Sequence, residues 1–145
     1  MKLVVQRVSK ASVFVNNNKI SEIDLGFLVY LGISINDKID DIFKYVNKLI
    51  SLRIFSDIDG KLNLNIKDVK GKILLVSQFT LMASTKKGNR PSFINALKGE
   101  DAILIYEKFT EILSKNVEVK TGIFGENMQI YSINDGPVTI ILEDL

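Results

Sequence analysis

Apolar and polar positions along the chain change period several times, and each change predicts an element. Leu3–Val8 and Ala11–Val15 are rich in β-branched residues and read as strands. Asn16-Asn17-Asn18 reads as a turn, because asparagine tolerates left-handed backbone and bonds its own chain. Lys19–Leu25 and Phe27–Ile33 follow as strands. The second is apolar at nearly every position, which predicts burial on both faces. Then Ile39, Ile42, Phe43, Val46, Leu49 and Ile50 recur at steps of three and four, predicting one helix over about 38–51. Asp37 is its expected N-cap, a carboxylate facing the free amides of a first turn. Leu52–Ser56 reads as a short strand and Asp59-Gly60 as a tight turn. Lys72–Phe79 is another apolar strand, and 82–92 is polar and irregular. A second amphipathic helix is expected near 101–115, with Ile105, Phe109, Ile112 and Leu113 on one face. Val117–Thr121, Met128–Ile133 and Pro137–Leu142 read as closing strands.

About eight strands and two helices define an α+β fold, a mixed, barrel-like β-sheet with two amphipathic helices packed on it. No Pro-, Ser- or Gly-rich linker and no repeat divides the 145 residues, so one domain over 1–145 is expected. A chain of this length buries roughly two-thirds of its unfolded surface and needs no covalent staple to fold.

Composition then removes whole chemistries. Cysteine is absent, which excludes disulfides, thiolate nucleophiles and thiolate metal sites. Histidine is absent too, so there is no Ser-His-Asp triad and no imidazole ligand or proton shuttle. The net charge of +2 allows contact with nucleic acid without predicting it. No apolar run approaches the ~20 residues of a membrane span. The N-terminal stretch turns polar too early for a secretory signal, so a cytoplasmic location is expected.

Three segments carry candidate chemistry. Ser77-Gln78-Phe79-Thr80 sits where an apolar strand ends, and strand ends are where hydroxyls and amides face a ligand. Spacing alone favours the plainer role of satisfying local backbone groups, and nothing in the motif activates either hydroxyl. Asn134-Asp135-Gly136-Pro137-Val138-Thr139 reads as a turn between two strands. Only about 5–6% of X-Pro bonds in folded proteins are cis, so composition favours a trans Gly136–Pro137 bond. Lys86-Lys87-Gly88-Asn89-Arg90-Pro91 places three cations on one loop, either as a solvated surface or against phosphates. Gly122-Ile123-Phe124-Gly125 has GxxG spacing, which alone carries no weight. Asp57 with Asp59, and Glu100 with Asp101, read as turn and helix-start residues rather than a metal or acid/base pair.

The stretches Val5-Gln6-Arg7-Val8, Ser77-Gln78-Phe79-Thr80-Leu81, Gly88-Asn89-Arg90-Pro91-Ser92-Phe93, Phe124-Gly125-Glu126-Asn127-Met128 and Asn134–Thr139 occur in this order. Their order and spacing resemble the D-aminoacyl-tRNA deacylases of the bacterial and eukaryotic type, from Met1 to Leu142. Glu126 and Asn127 stand where that family more often has Ala and Asp. The resemblance implies a homodimer, with active sites at the subunit interface, that hydrolyses the ester joining a D-amino acid to the 3′-terminal adenosine of tRNA. It also implies removal of mischarged glycine, and neither cofactor nor metal. Gly136–Pro137 would be cis, inserted into the partner's pocket, where backbone carbonyls capture the α-amino group and leave no room for an L side chain. A hydroxyl of the RNA would assist the attacking water. Thr80 is the one side chain named as catalytic, with the backbone amides around Phe79 and Thr80 as the oxyanion donors. Ser77 and Gln78 would shape the adenosine pocket, and Asn134 and Thr139 would brace the Gly-Pro loop. Lys86, Lys87 and Arg90 would meet tRNA phosphates. Two other classes stay open: a small-molecule esterase with a Ser77 or Thr80 nucleophile, and a dimer that binds RNA ends without turnover.

Overall fold

The computed structural model describes residues 1–145. Its organising strand is β1 (Lys2–Val15). One edge of β1 pairs antiparallel with β8 (Gln129–Glu143) along nearly its whole length. The other edge pairs with β3 (Gly26–Gly32) through Lys2–Val8 and with β2 (Asn18–Ile23) through Ala11–Val15. β6 (Lys72–Ser77) joins β3 in parallel, and β7 (Val119–Thr121) joins β6 in parallel. The Ser21 hydroxyl of β2 donates to the Thr121 carbonyl of β7 at 2.7 Å, so the sheet curls until its edges almost meet. The fold is α+β and barrel-like, as the periodicity predicts.

Parallel neighbours need long crossovers, and the two helices supply them. α1 (Ile42–Ser51) lies between β3 and β6, followed by a hairpin of β4 (Phe55–Ser56) and β5 (Leu62–Leu64). α2 (Gly99–Ser114) lies between β6 and β7. The larger core forms where both helices cover one sheet face, with Leu3, Phe27, Val29, Ile73 and Leu75 against Leu49, Phe109 and Leu113. Leu28, Leu74 and Val76 point the other way, into a smaller core with Val8, Val13 and Ile23. β3 and β6 are therefore buried on both faces, which is why they read as unbroken apolar runs.

Several boundaries differ from the sequence expectations. The two N-terminal strands are one strand, β1, whose exposed Ser9 and Lys10 lie at a register shift against β8. The expected strands Met128–Ile133 and Pro137–Leu142 likewise form the single strand β8, which starts at Gln129, and residues 135–138 are a bulge within it rather than a turn. β6 ends at Ser77, and Phe79–Met82 form a single 3-10 turn. The first helix begins as a 3-10 turn at Ile39–Asp41 before α1. Ile39 and Phe43 are each 54% exposed, and Tyr45 takes the buried place, its hydroxyl donating to the Met1 carbonyl at 2.8 Å. Asp37 does not cap the helix. Its carboxylate accepts from the Ser34 amide at 2.6 Å and pairs with the Met1 amino group, while Asp41 accepts from the Lys38 amide at 3.1 Å. Strand β5 is not among the expected elements, because its short Leu-Asn-Leu pattern carries little signal. The Asn16 and Asn17 turn is as expected, both with positive φ (48° and 62°).

Gly26 opens β3 where β6 passes closest. A Cβ there would lie 1.8 Å from the Lys72 carbonyl oxygen, a backbone atom that cannot move without parting the two central strands. Gly26→Ala is expected to lower stability by roughly 3 kcal/mol, at the upper end for a single substitution. Urea denaturation measures it, and a wild-type midpoint would show that the β3–β6 contact is looser than described.

Candidate active site

The carboxyl ends of β3 and β6 open onto one crevice, the usual place for a ligand at parallel strands. It has a volume of about 460 Å³. Ser77, Gln78 and Phe79 form one wall, Leu31, Ile33 and Leu97 another, Gly99 and Ala102 of α2 a third, and Phe124–Met128 with Ile130 the last. The floor is largely apolar, and the polar side chains at its wall are Ser77, Gln78, Glu126 and Asn127. No cationic side chain enters the lining.

Backbone geometry explains why this wall is placed so well. The Gln78 amide donates to the Leu31 carbonyl at 2.8 Å, the last ladder bond before the chain leaves the sheet. The chain then tightens into the Phe79–Met82 turn, with Leu81 donating to the Gln78 carbonyl at 3.2 Å and Ala83 to the Thr80 carbonyl at 3.1 Å. The first amides of such a turn have no partner inside it, which leaves those of Phe79, in the cleft wall, and Thr80, just beyond the lining, free to act as donors. The Thr80 and Gln78 side chains are hydrogen-bonded to one another. Behind the wall, the Tyr106 hydroxyl of α2 donates to the Leu75 carbonyl at 2.9 Å. Burial pushes its phenol well above the ordinary tyrosine range, so it stays protonated and fastens α2 to β6.

The other expected residues lie elsewhere. Gly136, Pro137, Asn134 and Thr139 do not line this cleft. They belong to the β8 bulge, which is built with unusual care. Between the pairs Val8–Asn134 and Gln6–Thr139, the single residue Arg7 faces four residues of β8. The Gly136–Pro137 bond is cis, against the compositional expectation, and Gly136 has φ +128°. The Asn134 carbonyl oxygen of the side chain accepts from the Val138 amide at 3.1 Å. Its amide nitrogen donates to the Thr139 hydroxyl at 3.1 Å, and Gln6 donates to the same hydroxyl at 3.3 Å. Gly136 and Pro137 are exposed at the crest.

Arg7 underlies the crest, and the sequence motif holding it did not reveal this. It is 9% exposed. Its Nη1 donates to the Ile54 carbonyl at 2.7 Å and its Nε to the Asp135 carbonyl at 3.1 Å, with an Asp135 carboxylate oxygen 3.4 Å from Nε. Phe124, Met128 and Ile130 of the cleft were also missed as lining. Phe124 and Met128 stand in a stretch that carries the family resemblance, but nothing in it assigned them to the cleft, and Ile130 shows only an apolar alternation that any strand has. Lys86, Lys87 and Arg90 are exposed on a loop beyond the cleft mouth and are not part of its lining. No group of three or more His, Cys, Asp or Glu side chains could hold a metal ion.

A polar-edged cleft with backbone donors and without a histidine or cysteine suits a hydrolase that acts on an already activated bond. Residues 4–143 match the family described as D-Tyr-tRNA(Tyr) deacylase. The chain belongs to that family and is a D-aminoacyl-tRNA deacylase, an ester hydrolase. Among solved structures it is similar to one titled c-Myc DNA Unwinding Element Binding Protein, at 44% identity over 100% of this chain and 99% of that one, with a TM-score of 0.95. A second, titled as a structural analysis of a probable eukaryotic D-amino acid tRNA deacylase, shares the fold at 15% identity, with 97% of each chain covered and a TM-score of 0.83.

Arg7→Lys keeps the charge but lacks the planar fork that serves two carbonyls at once. A buried carbonyl left unpaired costs about 1–3 kcal/mol, so stability is expected to fall by that amount. Deacylation should fall with it, because the Gly136–Pro137 crest loses its support. Thermal unfolding beside a deacylation assay tests this, and wild-type values in both would show that Arg7 does not position the crest.

Proposed function

We propose that the chain acts in the cytoplasm as a homodimer that edits tRNA, cleaving D-aminoacyl and glycyl esters from the 3′-terminal adenosine and sparing L-aminoacyl esters. One observation carries this reading: the cleft and the Gly136–Pro137 crest are both elaborately built, yet one chain does not bring them together. A second copy completes the site by placing its crest over this chain's cleft. The exposed Tyr131 and Ile133 (60% and 61%) flank the crest on β8 and give that copy an apolar surface to bury.

In the completed site the carbonyls of the partner's crest accept from the substrate α-amino group. An L side chain then collides with the crest backbone, whereas a D side chain points outward and glycine has nothing to exclude. Selection by collision makes the identity of the D side chain unimportant. The ester carbonyl lies at the amides of Phe79 and Thr80, which hold the developing oxyanion. Ser77 and Gln78 hold the adenosine. Water attacks the carbonyl carbon, the bond to the ribose 3′-oxygen breaks, and that oxygen leaves as a hydroxyl. The neighbouring 2′-hydroxyl of the RNA orients the water, which explains how the protein works without histidine. A small-molecule esterase with a serine or threonine nucleophile is less well supported. The Thr80 hydroxyl is engaged with Gln78, and no hydrogen bond joins Ser77 to a base.

Matched D- and L-tyrosyl-tRNA, incubated with the protein and EDTA, test the reading. Rapid loss of the D ester with survival of the L ester is expected, and Thr80→Ala is expected to keep most of the turnover. Equal cleavage of both esters contradicts the crest as a filter. Complete loss of turnover in Thr80→Ala, with binding intact, contradicts assistance by the RNA hydroxyl.

A further inference from the structure

Phe79 and Phe93 meet edge to face, with ring centroids 5.0 Å apart and planes at 66°. Phe79 is 58% exposed and lines the cleft mouth, whereas Phe93 is half-buried and lies outside the lining. Beside Phe93, Ile94 is 78% exposed. Together they form an apolar ledge that leads outward from the cleft. Its place is fixed on both sides. Ser84 and Ser92 exchange backbone bonds of 2.8 and 2.9 Å, closing the loop between them. Ile35 donates to the Asn95 carbonyl and Leu97 to the Ile33 carbonyl, each at 3.0 Å, tying the far side to the end of β3.

The charge around this ledge is one-sided. Residues 78–99, which hold the ledge and its loop, carry four cations (Lys86, Lys87, Arg90 and Lys98) and no carboxylate, although the whole chain is only +2. Lys86, Lys87 and Arg90, on the closed loop, are exposed and take part in no ion pair. An apolar peptide would use the ledge and leave these cations idle. A nucleotide uses both, its base on the aromatic ring and its phosphate on the cations.

We infer that Phe93, with Ile94, is a stacking platform for the unpaired base that precedes the terminal adenosine, while Lys86, Lys87 and Arg90 hold the flanking phosphates. This rests on the reading of the cleft as the place of the terminal aminoacyl-adenosine. Phe79 then belongs to the last nucleotide and Phe93 to the one before it. The platform makes the enzyme prefer an ester on a single-stranded RNA end over the same ester on a lone adenosine.

The test uses the full-length protein and an uncharged seven-nucleotide RNA carrying 2-aminopurine at its penultimate position, a base whose fluorescence is quenched by stacking. Hydrolysis of a D-tyrosyl ester of adenosine is followed in parallel. The wild type is expected to quench the probe. Phe93→Leu, which keeps apolar packing, should lose the quenching and bind about ten- to a hundredfold more weakly, the scale of base–aromatic stacking. Phe93→Tyr should restore both, and all three proteins should cleave the adenosine ester alike. Undiminished quenching in Phe93→Leu overturns the platform. So does equal loss of adenosine-ester cleavage, which would make Phe93 structural, or dissociation to monomers, which would place the ledge under a second copy. If the wild type cleaves the adenosine ester without quenching the probe, the platform falls and the deacylase site stands. If it neither cleaves that ester nor cleaves D-tyrosyl-tRNA, the reading of the cleft fails and the platform fails with it.

Discussion

The buried guanidinium of Arg7 is the constraint around which the functional half of the molecule is arranged. Withdrawing a cation from water costs several kcal/mol unless its donors are satisfied. Here the Ile54 and Asp135 carbonyls and the nearby Asp135 carboxylate supply that compensation. Because two of those groups lie on β8, the compensation exists only when the bulge stands where it does. The Asn134 side chain closes the bulge from within, through Val138 and Thr139. A strand that would otherwise run straight past β1 is made to present Gly136 and Pro137 at a crest. The long β1–β8 ladder supplies the rigidity, so a loop in function is an insert in a strand by construction.

The cleft obeys a different logic. It is made by strand ends and by the turn that follows β6, and backbone amides of that turn stand beside the polar side chains of Ser77, Gln78, Glu126 and Asn127. Such a site needs no titrating side chain of its own, which fits a chain that contains neither histidine nor cysteine. The apolar floor and the Tyr106 anchor keep that backbone in place. Stiff support beneath exposed amides is the physical requirement for holding a developing negative charge.

Much of this was legible in the chain. The unbroken apolar runs of β3 and β6 announced burial on both faces, and the α2 stripe of Ile105, Phe109, Ile112 and Leu113 is buried as its spacing requires. Ser77, Gln78 and Phe79 lie in the cleft, while Thr80 lies just beyond its lining. What was not legible depended on long-range pairing. Asn-Asp-Gly-Pro has the composition of a turn, and only the register against Arg7 reveals a bulge. Ile39 and Phe43 fit a helical stripe on paper, but Tyr45 wins the buried face because its hydroxyl reaches the Met1 carbonyl. The role of Arg7 joins residues 128 positions apart, beyond any local pattern.

The central claim is that each active site takes its cleft from one chain and its crest from another. Subunit complementation tests it most directly. Gly136→Ala damages the crest, since a Cβ there would lie 2.8 Å from Val138 and 2.9 Å from Arg7. Gly99→Phe obstructs the cleft at a position where a Cβ meets open space. Each variant alone should be inactive on D-tyrosyl-tRNA. Co-expressed and purified as a mixed dimer, they should regain activity, because one of the two sites then has an intact cleft and an intact crest. A mixed dimer as inactive as its parents would mean that each chain serves its own site, which contradicts a site shared between two subunits.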